Sequence, residues 1–255
     1  MGDKLMAYVI ASFSGGKDST AMVLHMIELG EQLDEVITCD TGMEFPAMYE
    51  HIEKVRAIIE GAGIKYTTLK ADRSFEDMLL NSPPTDKRDV LGYGWPGVHI
   101  RWCTKFLKTE LMRKYTAEHP DAIQCVGLAL DEEARREREN NKNQRHPLAE
   151  WGWTEADALA YCKARGFDWG GLYDKFKRVS CWICPLQPVS ELRKVWQYYP
   201  ELWTRLEEYD KILTDGQHND REYNRHRIAY YTARFEREAR AQKEQTVLDK
   251  FTEDA

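Results

Sequence analysis

The feature that most constrains the fold of this chain is an apolar run that ends in a glycine turn and opens a helix. Residues 5–12 (LMAYVIAS) have the pattern of a short buried strand, residues 14–19 (SGGKDS) form the turn, and residues 20–29 have helical spacing that ends at Gly30. Glycines allow a tight turn and a close approach to a ligand, and a helix start directs free N–H groups towards it. The turn predicts a cradle for a di- or triphosphate, with an ordinary strand–helix turn as the alternative.

The predicted cradle consists of Ser14, Gly15, Gly16, Lys17, Asp18 and Ser19. The serine hydroxyls add hydrogen-bond donors, and the lysine ammonium adds a positive charge. The turn differs from a Walker A loop, because Asp18 stands where that loop has Ser or Thr.

Further apolar runs alternate with helical stretches along the first half of the chain. Strands are predicted over residues 35–39, 65–69 and 121–128, and helices over residues 45–60 and 104–118. From residue 146 onwards the sequence is helical and aromatic, with little strand character. This alternation predicts the α/β class, with a twisted parallel sheet flanked by helices and a helical C-terminal region.

The composition is typical of a globular protein without a membrane segment. Hydrophobic residues make up 42% and charged residues 31% of the chain, and no apolar run approaches the roughly 18 residues of a membrane helix. The net charge of -7 rules out a uniformly basic coat for nucleic acid, but not a local basic face. The first residues lack a secretory signal, so we expect a cytoplasmic protein.

Two charged segments follow predicted strands. Asp40 comes directly after the second strand, at the sheet edge where open parallel sheets bind ligands, although it would also suit a cap or a turn. Residues 131–145 carry five acidic and five basic side chains and no apolar face. They are either a solvated helix followed by a loop or a mobile segment over a ligand, in which Arg135 and Arg136 meet phosphates.

Cysteines in a reducing compartment favour metal binding or buried thiols over disulfides. Cys181 and Cys184 have the spacing of two ligands to one metal centre, with a redox dithiol as the alternative. Cys103 is the predicted third ligand, because nearby basic side chains favour its thiolate. A zinc site completed by His99 or His146 is also compatible with the sequence. The remaining cysteines are expected to be core thiols, namely Cys39, Cys125 and Cys162.

Taken together, these motifs resemble those of the phosphoadenylyl-sulfate (PAPS) reductase family, within the PP-loop ATP pyrophosphatase superfamily. SGGKDS is similar to the superfamily's PP-loop, and DTGMEFP at residues 40–46 is similar to the family's DTG-x-x-FP segment. The other matching segments, in the family's order, are GLALDEEAR at 127–135, PLAEW at 147–151, LYD at 172–174 and CWIC at 181–184. The resemblance implies an adenine nucleotide alpha-hydrolase-like fold.

Three departures from the family's pattern bear on function. Dedicated PAPS reductases usually carry a degenerate PP-loop, whereas SGGKDS is intact and resembles that of members that cleave ATP. Iron–sulfur members have a Cys-Cys pair before the CxxC, where this chain has Trp102-Cys103. The reductases also use a catalytic cysteine near the C-terminus, and this sequence has no cysteine after Cys184.

The resemblance implies ATP-dependent sulfur transfer, in which adenylation of an acceptor releases pyrophosphate. It implies that ATP and Mg²⁺ bind at the loop together with Asp40, Gly127, Arg135 and Arg136. It implies further that Lys17, Asp40 and Arg135 are catalytic residues. It also implies a 4Fe-4S cluster on Cys103, Cys181 and Cys184. Nucleic acid is one candidate acceptor, and a cysteine desulfurase is one candidate sulfur donor. The alternatives are a PAPS or adenylyl-sulfate reductase and a nucleotide-binding protein or adenylyltransferase without redox chemistry.

On this resemblance, residues 1–190 form the PP-loop domain with the cluster-binding region, and residues 191–255 form a helical extension. Within the extension, residues 221–243 carry seven basic and three acidic side chains and several aromatic residues. Such a mixture suits contact with nucleic acid. An amphipathic helix that packs on the body and exposes a charged face is the alternative, and the one that we favour.

Overall fold

The computed structural model describes residues 7–82, 90–138 and 142–253, with side chains up to residue 246. Its sheet contains β1 (Val9–Ser12), β2 (Glu35–Cys39), β3 (Lys65–Leu69), β4 (Ile123–Val126) and β5 (Gln144–Arg145). All neighbouring strands are parallel, in the order β3-β2-β1-β4-β5. The predicted α/β fold with a parallel sheet is confirmed, although Leu5 and Met6 of the predicted first strand lie outside the described residues.

Helices follow the strands and make up most of the second half. In chain order they are α1 (Lys17–Leu29), α2 (Pro46–Gly61), α3 (Phe75–Leu80), α4 (Trp102–Thr104), α5 (Glu110–Ala117), α6 (Glu133–Arg138), α7 (Pro147–Glu150), α8 (Glu155–Ala164), α9 (Leu172–Lys175), α10 (Val189–Tyr198), α11 (Pro200–Ile212) and α12 (Ile228–Glu253). A π-helical turn, Lys105–Thr109, joins α4 to α5, and short 3₁₀ turns cover Leu130–Glu132 and Trp169–Gly171. None of the helices in the described part of the chain is both long and apolar enough to cross a membrane.

The strand order places a change of direction beside β1. The chain passes from β1 to β2 and β3 on one side, and then returns to β4 and β5 on the other. Ser12, the last residue of β1, pairs in register with Ile37 of β2 and Val126 of β4. Loops that leave neighbouring strands in opposite directions leave a crevice at the carboxyl edge of the sheet, which is where such sheets bind ligands.

The chain forms two compact units. Unit 1 comprises residues 1–72 and 103–179, and unit 2 comprises residues 73–102 and 180–255. The whole sheet therefore belongs to unit 1, and residues 73–102 group with the C-terminal helices. The boundary at residue 190 stays a prediction, and it falls inside unit 2.

Unit 1 buries a carboxylate at the amino edge of its sheet. The side chain of Glu35, the first residue of β2, is fully buried. It accepts hydrogen bonds from the hydroxyls of Tyr115 (2.7 and 2.9 Å), Tyr8 (3.2 Å) and Thr67, and it forms an ion pair with Lys65 at 3.0 Å. Each buried oxygen therefore has partners, as a buried charge requires.

Unit 2 is built around aromatic side chains. Trp95, Trp182 and Tyr223 are almost completely buried, and the ring of Trp95 meets that of Tyr223 edge-on at 4.9 Å. The indole N–H of Trp95 donates to the buried carboxylate of Asp210 at 3.0 Å. Asp210 also accepts from the backbone N–H of Ile228 at 2.9 Å, so it caps the start of α12.

Candidate functional site

A cavity of about 330 Å³ opens in unit 1 at the carboxyl ends of β1, β2 and β4. Seven of the residues predicted from the sequence line it, namely Ser14, Gly16, Asp18, Ser19, Asp40, Gly127 and Arg135. These residues come from loops that are far apart in the sequence. The loops meet because parallel strands end at the same edge of the sheet. The site therefore lies where the strand order predicts a ligand.

The SGGKDS loop is a strand–turn–helix junction fixed by its own polar groups. The Ser14 N–H donates to the Ser19 hydroxyl at 3.2 Å, and the two serine hydroxyls lie 3.1 Å apart. Gly15 has a φ of +79°, and a Cβ there would lie 2.6 Å from the side chain of Ile52 on α2. Only glycine tolerates both this positive φ and the close approach to Ile52, so a glycine here lets the loop pass closely over α2.

Two aromatic side chains from a later segment brace this loop. The indole N–H of Trp169 donates to the Gly15 carbonyl at 2.8 Å, and the Lys17 backbone N–H donates to the Tyr173 hydroxyl at 2.8 Å. A Cβ on Gly16 would lie 3.4 Å from that hydroxyl. The LYD segment matches the family's pattern, but the sequence alone does not assign a role to Tyr173. Its place in a matched segment was the only signal available.

The side chain of Lys17 is engaged in ion pairs. Its ammonium lies 2.7 Å from the Asp18 carboxylate and 3.0 Å from Glu155 at the start of α8. Burial raises the pKa of Asp18 to about 6, since the attraction of Lys17 offsets desolvation only in part and Glu155 and Glu132 add repulsion. The ammonium therefore balances an acidic pair beside the cavity.

Asp40 is held as an anion at the edge of the cavity. Its carboxylate accepts from the Gly42 N–H (2.8 Å) and the Tyr49 hydroxyl (3.0 Å), and it lies 2.8 Å from the Lys70 ammonium. Burial would raise its pKa, but the contacts with Lys70, Gly42 and Tyr49 outweigh burial and hold the pKa below the usual range. Asp40 thus forms the local turn and also presents an ionised oxygen group to the cavity, a ligand type that Mg²⁺ prefers.

The loop after β4 closes the other side of the cavity. A Cβ on Gly127 would lie 2.9 Å from the backbone nitrogen of Ser19, so glycine is needed where this loop meets α1. Arg135 lines the cavity and donates to Glu132 at 2.9 Å. Arg136 instead donates to the carbonyl oxygens of Ala129 and Leu130, which stabilises the loop itself.

The cysteines fall into three groups. Cys181 and Cys184 lie in one turn of unit 2, where the Cys184 N–H donates to the Cys181 carbonyl at 3.1 Å, whereas Cys103 belongs to unit 1. Among the described residues, no group of three His, Cys, Asp or Glu side chains is placed to hold a metal ion. The core role of Cys125 and Cys162 is confirmed, because both are fully buried and burial raises the pKa of each thiol to about 12. The expectation for Cys39 is wrong, because this half-buried thiol ends β2 and lines the cavity.

Comparison with known proteins identifies relatives of this chain. An uncharacterized protein of Methanocaldococcus jannaschii, MJ0066, is 28% identical over 216 residues, which cover 80% of this chain and 42% of that protein. A second from the same organism, MJ0973, is 28% identical over 205 residues, which cover 76% of this chain and 45% of that protein. The chain spans less than half the length of these curated relatives.

Solved structures that match this chain include a PAPS reductase from Candida auris in a phosphate complex. It has a TM-score of 0.49 and 17% identity, and the match covers 70% of this chain and 83% of that one. The U34-tRNA thiolase NcsA from Methanococcus maripaludis, with its 4Fe-4S cluster, has a TM-score of 0.43 and 15% identity, and the match covers 91% of this chain and 83% of that one.

A family model describes the part of the chain that contains the sheet, the cavity and the CWIC turn. Residues 8–187 match the phosphoadenosine phosphosulfate reductase domain. These residues make up well over half of the chain, so it belongs to the phosphoadenosine phosphosulfate reductase domain family.

Proposed function

We propose that this chain binds ATP in the cavity of unit 1 and uses it to activate an acceptor for sulfur transfer. The observation that carries the proposal is the intact SGGKDS loop at the carboxyl edge of the sheet, where loop, Asp40 and Arg135 line one cavity. The N–H groups at a glycine-rich helix start can donate to phosphate oxygens, and Arg135 on the other side of the cavity can pair with further negative charge of the triphosphate.

In the proposed reaction an oxygen of the acceptor attacks the α-phosphorus of ATP. The bond between that phosphorus and the bridging oxygen to the β-phosphate breaks, and pyrophosphate leaves with the bonding electrons. The loop N–H groups and Lys17 hold the departing phosphates, and Arg135 stabilises the negative charge that develops on them. Asp40, which the structure keeps ionised, binds the Mg²⁺ that accompanies ATP.

Cys103, Cys181 and Cys184 are the proposed ligands of an iron–sulfur cluster. The CWIC turn offers two thiols, which are too few for a cluster, so Cys103 is required as a third ligand. When bound, the cluster would supply a site that holds and delivers sulfur. A structural zinc ion on the same cysteines and a histidine, His99 or His146, is the alternative.

The family match by itself favours a second candidate, reduction of PAPS or adenylyl sulfate. The intact loop favours ATP instead, because dedicated PAPS reductases usually carry a degenerate PP-loop, whereas SGGKDS resembles the loop of members that cleave ATP. We also propose that nucleic acid is the acceptor, that a protein such as a cysteine desulfurase donates the sulfur, and that the reaction takes place in the cytoplasm, where thiols stay reduced.

Calorimetric titration with ATP and Mg²⁺ tests the nucleotide proposal. Lys17→Ala removes a charge-assisted contact to phosphate, so we expect about a 10- to 100-fold loss of affinity. Lys163→Ala is the matched control, because this half-exposed lysine on α8 pairs with Asp174 at 2.8 Å. Wild type should also release pyrophosphate from ATP when acceptor is supplied. Equal affinities of the two variants would contradict the assignment of the loop.

A further inference from the structure

The start of α12 concentrates positive charge in a chain whose net charge is -7. Residues 221–243 carry seven basic and three acidic side chains. Three apolar residues of this segment, Ile228, Tyr231 and Phe235, are buried at helical spacing and pack α12 onto the rest of unit 2. This side of α12 is therefore the apolar side of the amphipathic helix that the sequence favours.

The opposite side of α12 is exposed and has a different composition. Tyr230, Arg237 and Arg240 follow one another at spacings of seven and three residues, so they lie on one face. Arg237 forms no ion pair within the part of the chain whose side chains are described. Arg240 pairs with Glu236 at 3.4 Å, but its side chain is 75% exposed, and such a pair holds a guanidinium only weakly.

An exposed aromatic stack begins this face. The rings of His226 and Tyr230 lie 4.2 Å apart with an interplanar angle of 29°. Tyr230 remains 45% exposed and His226 is exposed, so the rest of unit 2 does not cover the stack. Large rings held flat at the surface next to cations are suited to stack with planar, anionic partners.

The turn before α12 fixes another cation beside the stack. Tyr223 and His226 form an antiparallel bridge, and the two residues between them, Asn224 and Arg225, have φ angles of 46° and 72°. This left-handed backbone is costly for arginine. The Tyr231 hydroxyl offsets that cost by donating to the Asn224 carbonyl at 2.6 Å, and Arg225 is thereby held exposed at the tip.

We infer that this surface binds single-stranded nucleic acid. Its residues, which we call the basic–aromatic face, are Arg225, His226, Tyr230, Arg237 and Arg240. The arginines match the spaced charges of a phosphate backbone, and the ring stack matches an unpaired base. A duplex fits poorly, because its bases are already stacked on one another and offer no free ring face.

The inference deepens the proposed function and rests on it in one respect, which is that the nucleic acid serves as sulfur acceptor. The turn that displays Arg225 is joined to the CWIC turn inside unit 2. Tyr223 donates to the Cys184 carbonyl at 2.9 Å, and the Asn224 side chain donates to the Gln187 carbonyl at 3.2 Å. A nucleic-acid strand bound to the basic–aromatic face is therefore held at a fixed place relative to the CWIC thiols.

Fluorescence anisotropy with the full chain tests the inference, using fluorescein-labelled 12-mers of uridine and of thymidine over a range of KCl concentrations. Tyr230→Ala should weaken binding by about 5- to 150-fold, the loss expected for one stacked base. Arg237→Gln should reduce the slope of log K against log salt by about 0.7, as for one phosphate contact on a single strand. Lys54→Gln, which removes an exposed cation from α2 in unit 1, is the matched control and should change neither quantity.

Several results would overturn the inference. They are the absence of binding to both oligomers at low salt, equal binding by wild type and Tyr230→Ala, and equal affinity for polyglutamate, which has charge but no bases. ATP titrations on the same proteins separate the two proposals, because Tyr230→Ala should bind ATP as wild type does. Absence of ATP binding to wild type would contradict the proposed function while leaving the oligomer affinity measurable.

Discussion

The pKa values of two carboxylates in unit 1 are shifted in opposite directions, because their contacts offset burial to different extents. Around Glu35, donors from Thr67, Tyr115 and Lys65 outweigh desolvation and hold the pKa below its ordinary range. At the cavity, burial raises the pKa of Asp18 to about 6 because Lys17 compensates only in part. Glu35 therefore stabilises the sheet at its amino edge. The Asp18 carboxylate is kept beside the ligand site at a cost in stability when it is ionised.

The contribution of Glu35 should appear in the pH dependence of stability. Its folded-state pKa lies below the ordinary value of 4.5, so its stabilisation is complete above that pH and is lost as the pH falls through the folded-state pKa. Glu35→Gln should lower the free energy of unfolding at pH 7 by about 1.5–3 kcal/mol. In urea denaturation the difference from wild type should shrink towards pH 3. Glu118→Gln, an exposed control, should leave the midpoint unchanged, and a Glu35→Gln midpoint equal to wild type at pH 7 would refute the argument.

At the scale of elements, the site depends on close contacts between loops that are distant in sequence. Gly127 packs against the first turn of α1, where a Cβ would lie 2.9 Å from the Ser19 nitrogen and 3.0 Å from its Cα. These are backbone atoms, so a side chain at position 127 must displace either the loop after β4 or the start of α1. The loop N–H groups proposed to hold phosphate would move with α1.

Gly127→Ala should therefore weaken ATP binding and also destabilise unit 1. We expect about 1–3 kcal/mol of lost stability from overpacking, together with a measurable loss of ATP affinity by calorimetry. Gly61→Ala is the matched control, because nothing lies within 4 Å of a Cβ at this helical glycine. Stability and affinity equal to those of the control would show that the two loops are not in close contact.

The glycine turn and the alternation of strands with helices predict the phosphate loop and a ligand site at the carboxyl edge of the sheet, because parallel strands end at the same edge. The brace from Trp169 to Gly15 could not be predicted, because it joins residues 154 positions apart. Strand β5 could not be predicted, because its two residues lie in a charged segment without apolar alternation. The half-buried position of Cys39 could not be predicted either, because a thiol at the end of a strand has the same local sequence pattern as one in its interior.

At the scale of the whole molecule, the three cysteines proposed to bind one cluster come from distant parts of the sequence. Anaerobically purified protein should contain about four irons per chain and acid-labile sulfide. The iron should be lost in Cys103→Ala, Cys181→Ala and Cys184→Ala. Cys39→Ala, which removes a thiol of the cavity wall, should keep it. Stoichiometric zinc without sulfide would exclude the cluster and the sulfur delivery proposed for it.

The ion pair of Lys17 with Glu155 means that the chain supplies its own competitor for the phosphate site. A tethered carboxylate acts at a high effective concentration, so an incoming anion gains affinity only by the amount by which it outcompetes Glu155. The same ion pair must break whichever anion reaches the Lys17 ammonium, so Glu155 lowers the affinity of every such ligand. Glu155→Gln should therefore raise the affinity for ATP measured by calorimetry. On this view an acidic residue at the start of α8 sets a threshold that an anion must exceed to occupy the site.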